Sequence, residues 1–497
     1  MKCFCYLMIV ILTNSVLAQD ITNKLGASGN YDVTDSSDNL LLRLRTDNGL
    51  LINGTFGTGV IPATGSGSRL MWYPAKAAFR IGYVSGTQWN DTNIGDYSVA
   101  MGRESTASGS DSFVANRDNT ASGSSSFAGG RSCTAGGQRS MAFGYGASTS
   151  GTPSFSFGAY TSATGTSSIA TGTRTTASGY SSSAMGAYTT ASGDSSTAMG
   201  AYSTAEGLSS TAMGGHSVAN AQYSTAMGYG TTASGSYSTA TGRTTTASGS
   251  DSFAANRDNT ASGSSSFAGG RSCTAGGQRS MSFGYGASTS GTPSFSFGAY
   301  TSATGASSIA TGTRTTASGD NTTAMGSYVS TNSNAGSFII GDNSTTVNTS
   351  CTSINQMVAR FANGYTFYTN SSATLGATLP ANGSSWAAPS DSTKKENFKQ
   401  ADGEYFLNSI KKLKLGSWNY KAQDSSIRHY GPMAQEIFNY FGKDDFGTIG
   451  NDTTLATADM DGIMLIAIQA LINKNAELEN EILELKQKIL KVKAMKD

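Results

Sequence analysis

The chain has 497 residues, with 33 lysines and arginines against 32 aspartates and glutamates. This balance predicts no extended basic surface for nucleic acid or for an acidic membrane, and the length allows several domains. Only 13% of the residues are charged and 61 are glycine, a composition that occurs both in disordered linkers and in repeat proteins. The regular spacing of the glycines, described below, favours a folded repeat.

The N-terminal segment, 1–18, has the pattern of a secretory signal peptide. Lys2 precedes an apolar run, 3–12, that is too short to span a bilayer, and Ala18 offers a small residue for cleavage before Gln19. The alternatives are a buried N-terminal strand and an uncleaved anchor. Because no later segment is long enough to cross a membrane, we expect a secreted or cell-surface protein without a membrane span.

Residues 19–94 differ from the rest in their aromatic and β-branched content. The apolar run 40–45 is followed by Asn48-Gly49, which is a strong hairpin signal. Trp72, Phe79 and Trp89 add bulk that later segments lack. We expect a small β cap that covers the first coil of the repeat, because solenoid ends require capping.

Glycine recurs at every seventh position through residues 95–341. Two kinds of heptad alternate, one ending as in 183–186 (Ser-Ala-Met-Gly) and the other as in 190–193 (Thr-Ala-Ser-Gly), so the true period is 14. A fixed short period predicts a stacked solenoid, with two short strands and two turns per coil. About 17 coils at one strand spacing of about 4.8 Å predict a shaft of roughly 80 Å.

Alanine and serine occupy the predicted inward positions of these strands. A core of such small residues buries little apolar area, which suggests that more than one chain contributes to the shaft. Methionine recurs at the same position of successive coils, as Met185, Met199, Met213 and Met227. Two interpretations are open: these side chains meet a partner chain, or they fill the interior of their own coils.

A large internal duplication keeps the register of the repeat. Residues 108–179 recur at 248–319 with three differences, Val114/Ala254, Ala142/Ser282 and Thr166/Ala306. The shift between the two copies equals ten whole coils. An enzyme rarely tolerates such an insertion through its centre, whereas a rod becomes longer.

The cysteines and histidines predict neither a disulfide framework nor a metal site. Cys133 and Cys273 occupy equivalent positions ten coils apart, roughly 48 Å at one strand spacing per coil, which is beyond the reach of a disulfide. We expect buried free thiols there, and Cys351 lies beyond the repeats. His216 and His429 are far apart, so we expect no metal and no cofactor.

The alternating heptads resemble the head repeats of trimeric autotransporter adhesins, on segments such as 210–214 (Ser-Thr-Ala-Met-Gly) and 231–235 (Thr-Thr-Ala-Ser-Gly). The resemblance covers about half the chain. It implies a left-handed parallel β-roll in which three chains pack together. Residues 342–389, rich in Asn, Ser and Thr, are predicted to be a connector.

From residue 390 the composition becomes charged, beginning with Ser390-Asp391-Ser-Thr-Lys-Lys395. A serine becomes a strong nucleophile when a neighbouring base takes its proton, and a lysine can be that base if its surroundings favour the neutral amine. A turn entering a helix can close the five-residue spacing. Considered alone, the pattern favours a helix N-cap with solvated lysines.

The order of motifs after residue 390 resembles the intramolecular chaperone domain of endosialidase-type phage tail spikes. These motifs include Trp418-Asn-Tyr420 and His429-Tyr-Gly-Pro-Met-Ala-Gln-Glu436. The resemblance implies that three domains over 390–497 assemble, drive trimerisation of the upstream fibre and then cut themselves off. It assigns the catalytic pair to Ser390 and Lys395 and the cut to the Ser390–Asp391 bond. His429 either supports the site or makes a structural hydrogen bond. The arginine often found within the motif is absent.

Residues 463–495 carry an apolar 4-3 pattern over four heptads, which predicts a coiled coil. Its positions are Met464, Ile468, Leu471, Asn475, Leu478, Ile482, Leu485, Ile489 and Val492. Asn475 interrupts the seam and would fix its register. The alternative is a single amphipathic core helix. The number of strands does not follow from the seam, and three comes from the two resemblances.

The predicted fold class is mainly β: a left-handed parallel β-roll, assembled as a homotrimer, with a C-terminal α+β chaperone domain ending in a coiled-coil helix. We therefore expect a secreted or cell-surface fibre, adhesin-like or structural, that binds itself and a host or surface ligand. One alternative is a phage-like tail spike, which the signal peptide and the absence of paired acidic residues in a recurrent cleft disfavour. Another is ice binding, disfavoured because Tyr, Arg and Asp are expected to interrupt the outward Thr columns.

Overall fold

The computed structural model describes residues 31–34, 40–45 and 49–496. The predicted signal peptide, 1–18, and its Cys3 and Cys5 lie outside the described residues. The chain divides into two compact units, one ending at Arg360 and the other beginning at Phe361.

The head of the first unit is built from antiparallel strands. Strands Tyr31–Thr34, Leu40–Leu44 and Leu50–Ile52 form one sheet, in which Leu44 pairs with Leu50. The predicted hairpin is therefore present, although Asn48 lies outside the described residues. A second hairpin joins Gly67–Tyr73 to Ala78–Val84, and the latter strand pairs in parallel with the first coil. The head thus continues directly into the solenoid.

The solenoid repeats one long and one short strand per coil, and the structure confirms the predicted parallel solenoid of about 17 coils. The long strands are Val99–Arg103, Phe113–Arg117, Phe127–Arg131, Met141–Tyr145, Ser154–Ala159, Ser168–Thr173, Ser183–Ala187, Thr197–Ala201, Thr211–Gly215, Thr225–Tyr229, Thr239–Arg243, Phe253–Arg257, Phe267–Arg271, Met281–Tyr285, Ser294–Ala299, Ser308–Thr313, Thr323–Ser327, Phe338–Gly341 and Met357–Arg360. The short strands are Thr106–Ala107, Thr120–Ala121, Thr134–Ala135, Ser148–Thr149, Ser162–Ala163, Thr176–Ala177, Thr190–Ala191, Thr204–Ala205, Val218–Ala219, Thr232–Ala233, Thr246–Ala247, Thr260–Ala261, Thr274–Ala275, Ser288–Thr289, Ser302–Ala303, Thr316–Ala317, Val329–Ser330 and Thr349–Ser350.

Each strand pairs in parallel with its equivalent in the next coil, so identical positions stack. Ala184 lies opposite Ala198, and Met185 lies opposite Met199. Because side chains alternate along a strand, Ala184 and Ala198 are fully buried while the residues on either side point out. The core is a column of alanines with serines and threonines beside them, as the sequence predicts.

Two different constraints select glycine in the two heptads. Gly186 lies in a long strand at φ 124°, and a Cβ there would lie 2.0 Å from the carbonyl oxygen of Gly200. Gly193 has no positive φ, but its Cβ would lie 2.1 Å from the oxygen of Gly207. The left-handed turn positions fall instead on residues such as Tyr188, at φ 56°. Close approach between coils, more than turn geometry, therefore sets the seven-residue spacing.

The recurrent methionines lie on the outer face of the long strands. Met185, Met213 and Met227 are 37%, 36% and 39% exposed. The interpretation that they fill the interior of their own coils is wrong, because alanine occupies the inward positions of the same strands.

The outer face of the short strands carries a nearly pure column of threonine and serine. Thr176, Thr190 and Thr204 are in register along this column, and Val218 follows them. The expectation that Tyr, Arg and Asp interrupt it is wrong. Those residues lie at the turns, as Tyr188 and Asp194 show, because a positive φ after each strand resets the alternation of side chains.

An arginine closes each end of the solenoid. Arg80 is fully buried and donates to the carbonyl oxygens of Ser98 and Ala107, 2.9 and 3.0 Å away. Arg360 donates to the carbonyl oxygens of Ser327 and Asp342 at the other end. We predicted a connector from residue 342, but Met357–Arg360 still pairs with Phe338–Gly341, so the sheet continues through Arg360.

The three described cysteines are buried and free, as expected for Cys133 and Cys273. Burial raises the pKa of the thiols of Cys133, Cys273 and Cys351, which keeps them protonated. Cys133 Sγ also lies 3.3 Å from the carbonyl oxygen of Gly144 in the next coil. These thiols act as small core residues of the solenoid.

The second unit combines short strands with three helices. A hairpin pairs Gly364–Tyr368 with Gly376–Pro380, and a two-stranded ribbon pairs Gly416–Trp418 with His429–Gly431. The helices are α1 (Gly403–Ile410), α2 (Ala434–Phe441) and α3 (Thr457–Ala494). Ile437, Phe441 and Ile463 form the core of this unit. None of the described helices is long and apolar enough to cross a membrane.

Candidate active site

Ser390 and Lys395 meet through a hydrogen bond at the start of the second unit's charged segment. Lys395 Nζ donates to Ser390 Oγ at 2.8 Å. The structure therefore brings together the two residues that the sequence singled out for a nucleophile and its base. At this distance the amine can take the hydroxyl proton directly when it is neutral.

A short 3-10 helix, Ser392–Lys394, closes the gap between the two residues. Asp391 caps this helix, and its Oδ1 accepts a hydrogen bond from the backbone N–H of Thr393 at 2.9 Å. Hydrogen bonds from Thr393 lower the pKa of Asp391, so this carboxyl is ionised at neutral pH. The cap fixes one turn of the chain, and this turn brings the side chain of Lys395 within hydrogen-bonding distance of Ser390.

Both side chains of the pair are exposed in the single chain. A lysine acts as a base only as the neutral amine, and removal from water favours that form. The geometry of the pair is thus present in one chain, whereas the dry surroundings that general-base chemistry requires are not.

His429 lies in the two-stranded ribbon and contacts neighbours there. Its Nε2 is 2.9 Å from Gln423 Oε1, and its ring stacks on Trp418 with centroids 4.9 Å apart. Tyr420 packs against the same ring at 5.4 Å. Among the described residues no hydrogen bond joins His429 to Ser390 or Lys395. These contacts hold the ribbon together, and they agree with the alternative in which His429 makes a structural hydrogen bond.

Helix α3 presents the predicted apolar seam to solvent. Ile468, Leu471 and Ile482 are 52%, 59% and 50% exposed. The neighbouring face of the helix, about a quarter turn from the seam, carries Ile463 and Ala467, which are buried against the same unit. The seam is therefore additional to the helix's own core contacts, which disfavours the alternative of a single amphipathic core helix.

Sequence reasoning missed a row of large side chains along one turn of the solenoid. From the strand Val99–Arg103 to the strand Thr323–Ser327, the last residue of each long strand or the residue after it is Arg, Tyr or His. We call this row the edge ladder: Arg103, Arg117, Arg131, Tyr145, Tyr160, Arg174, Tyr188, Tyr202, His216, Tyr229, Arg243, Arg257, Arg271, Tyr285, Tyr300, Arg314 and Tyr328. A search at period 14 that allowed two adjacent positions would have found it.

The described part of the chain holds no metal centre beside these features. Across the residues that the structure describes, no group of three His, Cys, Asp or Glu side chains is placed to hold a metal ion.

Comparison of the chain with protein-family models gives two matches. The YadA head domain repeat matches at ten places between residues 94 and 328, and the chaperone of endosialidase matches residues 390–444. A comparison with curated proteins found no match. The first match coincides with the solenoid, and the second begins at Ser390 and includes Lys395 and His429. The chain therefore joins YadA-type head repeats, as in trimeric autotransporter adhesins, to a C-terminal domain of the chaperone-of-endosialidase family.

Proposed function

We propose that this protein is an exported trimeric fibre, adhesin-like or structural, whose C-terminal domain assembles the trimer and then cuts itself off at Ser390–Asp391. The observation that carries the proposal is the pair of apolar surfaces left exposed by a single chain. One follows the long strands of the solenoid and the other follows helix α3. The exposed Ser390–Lys395 pair is a further feature that points to contacts with other chains.

The long-strand face supports association along the whole shaft. Its outward positions hold side chains such as Phe157, Ile169 and Met185, which are 38%, 39% and 37% exposed. A continuous apolar stripe of this kind is unfavourable in water and marks a surface for another chain. YadA-type head repeats imply that the partners are two copies of the same chain.

The seam of α3 supports parallel alignment of the chain ends. Its a positions are isoleucine apart from Asn475, and its d positions are mainly leucine. In isolated parallel coiled coils this combination favours two strands. We therefore attribute the number three to the shaft face and the globular part of the domain, and we attribute register to the seam.

The chaperone role follows from the entropy of building such a shaft. Parallel strands from separate chains gain contacts only after association and loop closure have been achieved, which makes assembly slow. A domain that aligns three chain ends removes much of that cost. Cleavage then separates the clamp from the shaft, so unfolding can no longer be reversed and the shaft gains kinetic stability.

The cleavage step uses Lys395 as base and Ser390 as nucleophile. The amine removes the Oγ proton, and Oγ attacks the carbonyl carbon of Ser390 in a neighbouring chain, because attack within one residue would require a strained four-membered ring. The C–N bond to Asp391 breaks as the lysine returns its proton to the departing amine. Water then hydrolyses the ester and regenerates the serine. Packing of three domains would supply the burial that the base needs.

The first test compares secreted wild type with Ser390→Ala and Ser392→Ala. Wild type and Ser392→Ala should give trimeric chains that end at Ser390 and a released fragment that spans 391–497, whereas Ser390→Ala should remain full-length. Release of that fragment from Ser390→Ala would show the assignment of the nucleophile to be wrong. A full-length wild-type monomer would refute the whole scheme.

A second test asks whether the reaction crosses between chains. Tagged Ser390→Ala chains are co-expressed with wild type, so that mixed trimers form. We expect the tagged chains to be cut in mixed trimers and to stay intact when expressed alone. Tagged chains that remain uncut in mixed trimers would refute attack on a neighbour while leaving the dyad in place.

The trimer surface is tested with matched charge insertions. Met185→Glu with Met213→Glu places carboxylates on the long-strand face, and Thr190→Glu with Thr204→Glu places them on the short-strand face of neighbouring coils. The methionine variant should fail to form trimers in mass analysis, because burying unpaired carboxylates is costly. The threonine variant should assemble. Equal behaviour of the two would contradict packing through the long strands.

Ice binding is a second candidate, favoured by the nearly continuous threonine and serine column on the short strands. Its hydroxyl-bearing side chains repeat at about 4.8 Å, one strand spacing, on a face that the proposed trimer leaves open. Purified shaft should then show thermal hysteresis, and Thr190→Glu with Thr204→Glu should reduce it. Absence of hysteresis in the wild-type protein would exclude this function.

A further inference from the structure

The edge ladder forms one connected stack of side chains over much of the shaft. The rings of Tyr188 and Tyr202 are parallel with centroids 4.8 Å apart, and His216 continues the stack at 4.9 Å. The guanidinium of Arg174 lies 5.7 Å from the ring of Tyr160 and 5.5 Å from that of Tyr188. These contacts fix long side chains that would otherwise move freely.

Stacking along the shaft leaves particular chemical groups facing solvent. Tyr188 and Tyr202 are 43% and 51% exposed, yet each has a ring face covered by its neighbour in the stack. What remains accessible is mainly ring edges, phenol hydroxyls and guanidinium groups. A hydrogen bond with Tyr145 raises the pKa of Tyr160, so that phenol is protonated at neutral pH.

Charge is distributed unequally between the two edges of the solenoid. The edge ladder contains eight arginines, with only Glu104, Asp118 and Asp258 as acidic residues beside it. The opposite edge, at the turn after each short strand, contains two arginines, Arg139 and Arg279, against six acidic residues: Asp96, Asp111, Asp194, Glu206, Asp251 and Asp320. A chain with almost no net charge thus has one basic and one acidic edge.

Six of the eight arginines of the ladder are grouped in two sets of three consecutive coils, and Arg174 and Arg314 stand alone. In the second set Arg243 pairs across the sheet with Arg257, and Arg257 pairs with Arg271. Arg257 has a local partner in Asp258 at 3.2 Å. The first set, Arg103, Arg117 and Arg131, lies ten coils earlier, and its last two members fall within the duplicated block. A linear molecule lying along this edge would meet a new rung about every 4.8 Å.

We propose that the edge ladder binds a linear anionic polysaccharide, sulfated or uronate-containing, laid parallel to the shaft. Guanidinium groups pair with sulfate or carboxylate through two hydrogen bonds, and the phenol hydroxyls bind sugar hydroxyls. Single-stranded nucleic acid is disfavoured because its recognition relies on base stacking against open aromatic faces, which the ladder has used internally. This inference gives the proposed external fibre its ligand class, but it does not depend on the clamp or on cleavage.

The test measures binding of the secreted protein to immobilised heparin, alginate and neutral dextran. Arg243→Gln/Arg257→Gln/Arg271→Gln removes one arginine set from the ladder. Arg139→Gln/Arg279→Gln is the control at exposed arginines of the opposite edge, and Arg257→Gln/Arg271→Gln matches it in the number of charges removed. Each variant is checked for trimer mass and β-sheet circular dichroism. The measurements are repeated on Ser390→Ala, so that failure of cleavage cannot be confused with failure of binding.

We expect binding to heparin or alginate that weakens as salt increases, no binding to dextran, and a loss of at least tenfold in the ladder variant alone. Tyr188→Ser/Tyr202→Ser should weaken binding several-fold, because it interrupts the stack without altering charge. Equal losses in the ladder and control variants would overturn the proposal in favour of non-specific charge attraction. No binding to either anionic polymer, or tighter binding to single-stranded DNA, would also overturn it.

Discussion

Arg80 and Arg360 lie at opposite ends of the solenoid, and each inserts a guanidinium among backbone carbonyl groups of the terminal coils. Burial lowers the pKa of Arg80 to about 10, so it carries its charge at neutral pH. The charge is held by carbonyl oxygens and by the Ser98 hydroxyl, 2.8 Å away. Arg360 adds an ion pair with Asp342 at 3.4 Å. A repetitive interior of alanine thus ends in a specific polar group at each side.

Although there are only two of them, these arginine caps should contribute strongly to the stability of the shaft. We expect Arg80→Ala to lower the free energy of unfolding of the shaft by about 3 kcal/mol, because it leaves a cavity and unpaired polar groups at the first coil. Arg139→Ala, at an exposed position, is the control and should change it by less than about 0.5 kcal/mol. Chemical denaturation in the uncleaved Ser390→Ala background, where the clamp stays attached and the shaft can refold, measures both. Equal small effects would contradict a capping role.

The register of the solenoid predicts which deletions it tolerates. Removal of residues 108–247, ten whole coils, brings Ser248 to the place of Ser108, so every ladder of strands remains matched. The product should form trimers with a shaft shorter by about 48 Å in electron micrographs. Removal of 108–254 shifts the repeat by half a coil and opposes long strands to short ones. That variant should aggregate or be degraded, and its normal assembly would contradict the observed pairing.

Self-cleavage should require lysine at position 395, and no other cationic side chain should replace it. Lys395→Arg keeps the positive charge, but arginine stays protonated and cannot act as a base. We expect cleavage to slow at least 100-fold, with trimer assembly unaffected. Lys394→Arg, one residue earlier and equally exposed, should be cut at the wild-type rate. The measurement is the time course of fragment release in a pulse-chase experiment. Similar slowing in both variants would place the effect in assembly instead of chemistry.

His429 should behave as a packing residue of the ribbon. His429→Phe keeps an aromatic ring for stacking on Trp418 but loses the hydrogen bond to Gln423, and we expect it to retain most self-cleavage. His429→Ala removes both contacts and should lower the thermal stability of the C-terminal domain. Loss of cleavage in His429→Phe with assembly intact would instead show that its ring nitrogens take part in the reaction.

The periodicity of the fold was accessible from the sequence because alanine and glycine repeat at fixed positions. Which face a side chain takes near a turn was not. Tyr145 ends its strand, whereas Tyr160 follows its strand in a left-handed conformation, yet both reach the same ladder. If side chains are assumed to keep alternating between inside and outside through that turn, Tyr and Arg are assigned to the outer face of the short strands. This is why they were expected among the outward threonines.

The candidate site was predictable in part for a different reason. The spacing from Ser390 to Lys395 can be closed by one turn, and Asp391 is a residue type that begins such a turn. The surroundings of the pair were not predictable, because they depend on surfaces contributed by other chains. A sequence pattern records contacts within a helix or coil far better than contacts between copies.

The ten-coil duplication has a consequence for heredity as well as for architecture. Two stretches of one chain as alike as 108–179 and 248–319 invite misaligned recombination between their coding segments, and an exchange between equivalent positions adds or removes ten whole coils. Such an exchange leaves the head, the clamp and every strand pairing unchanged. The length of the shaft can therefore change between descendants in steps of whole coils, without passing through a variant that fails to fold.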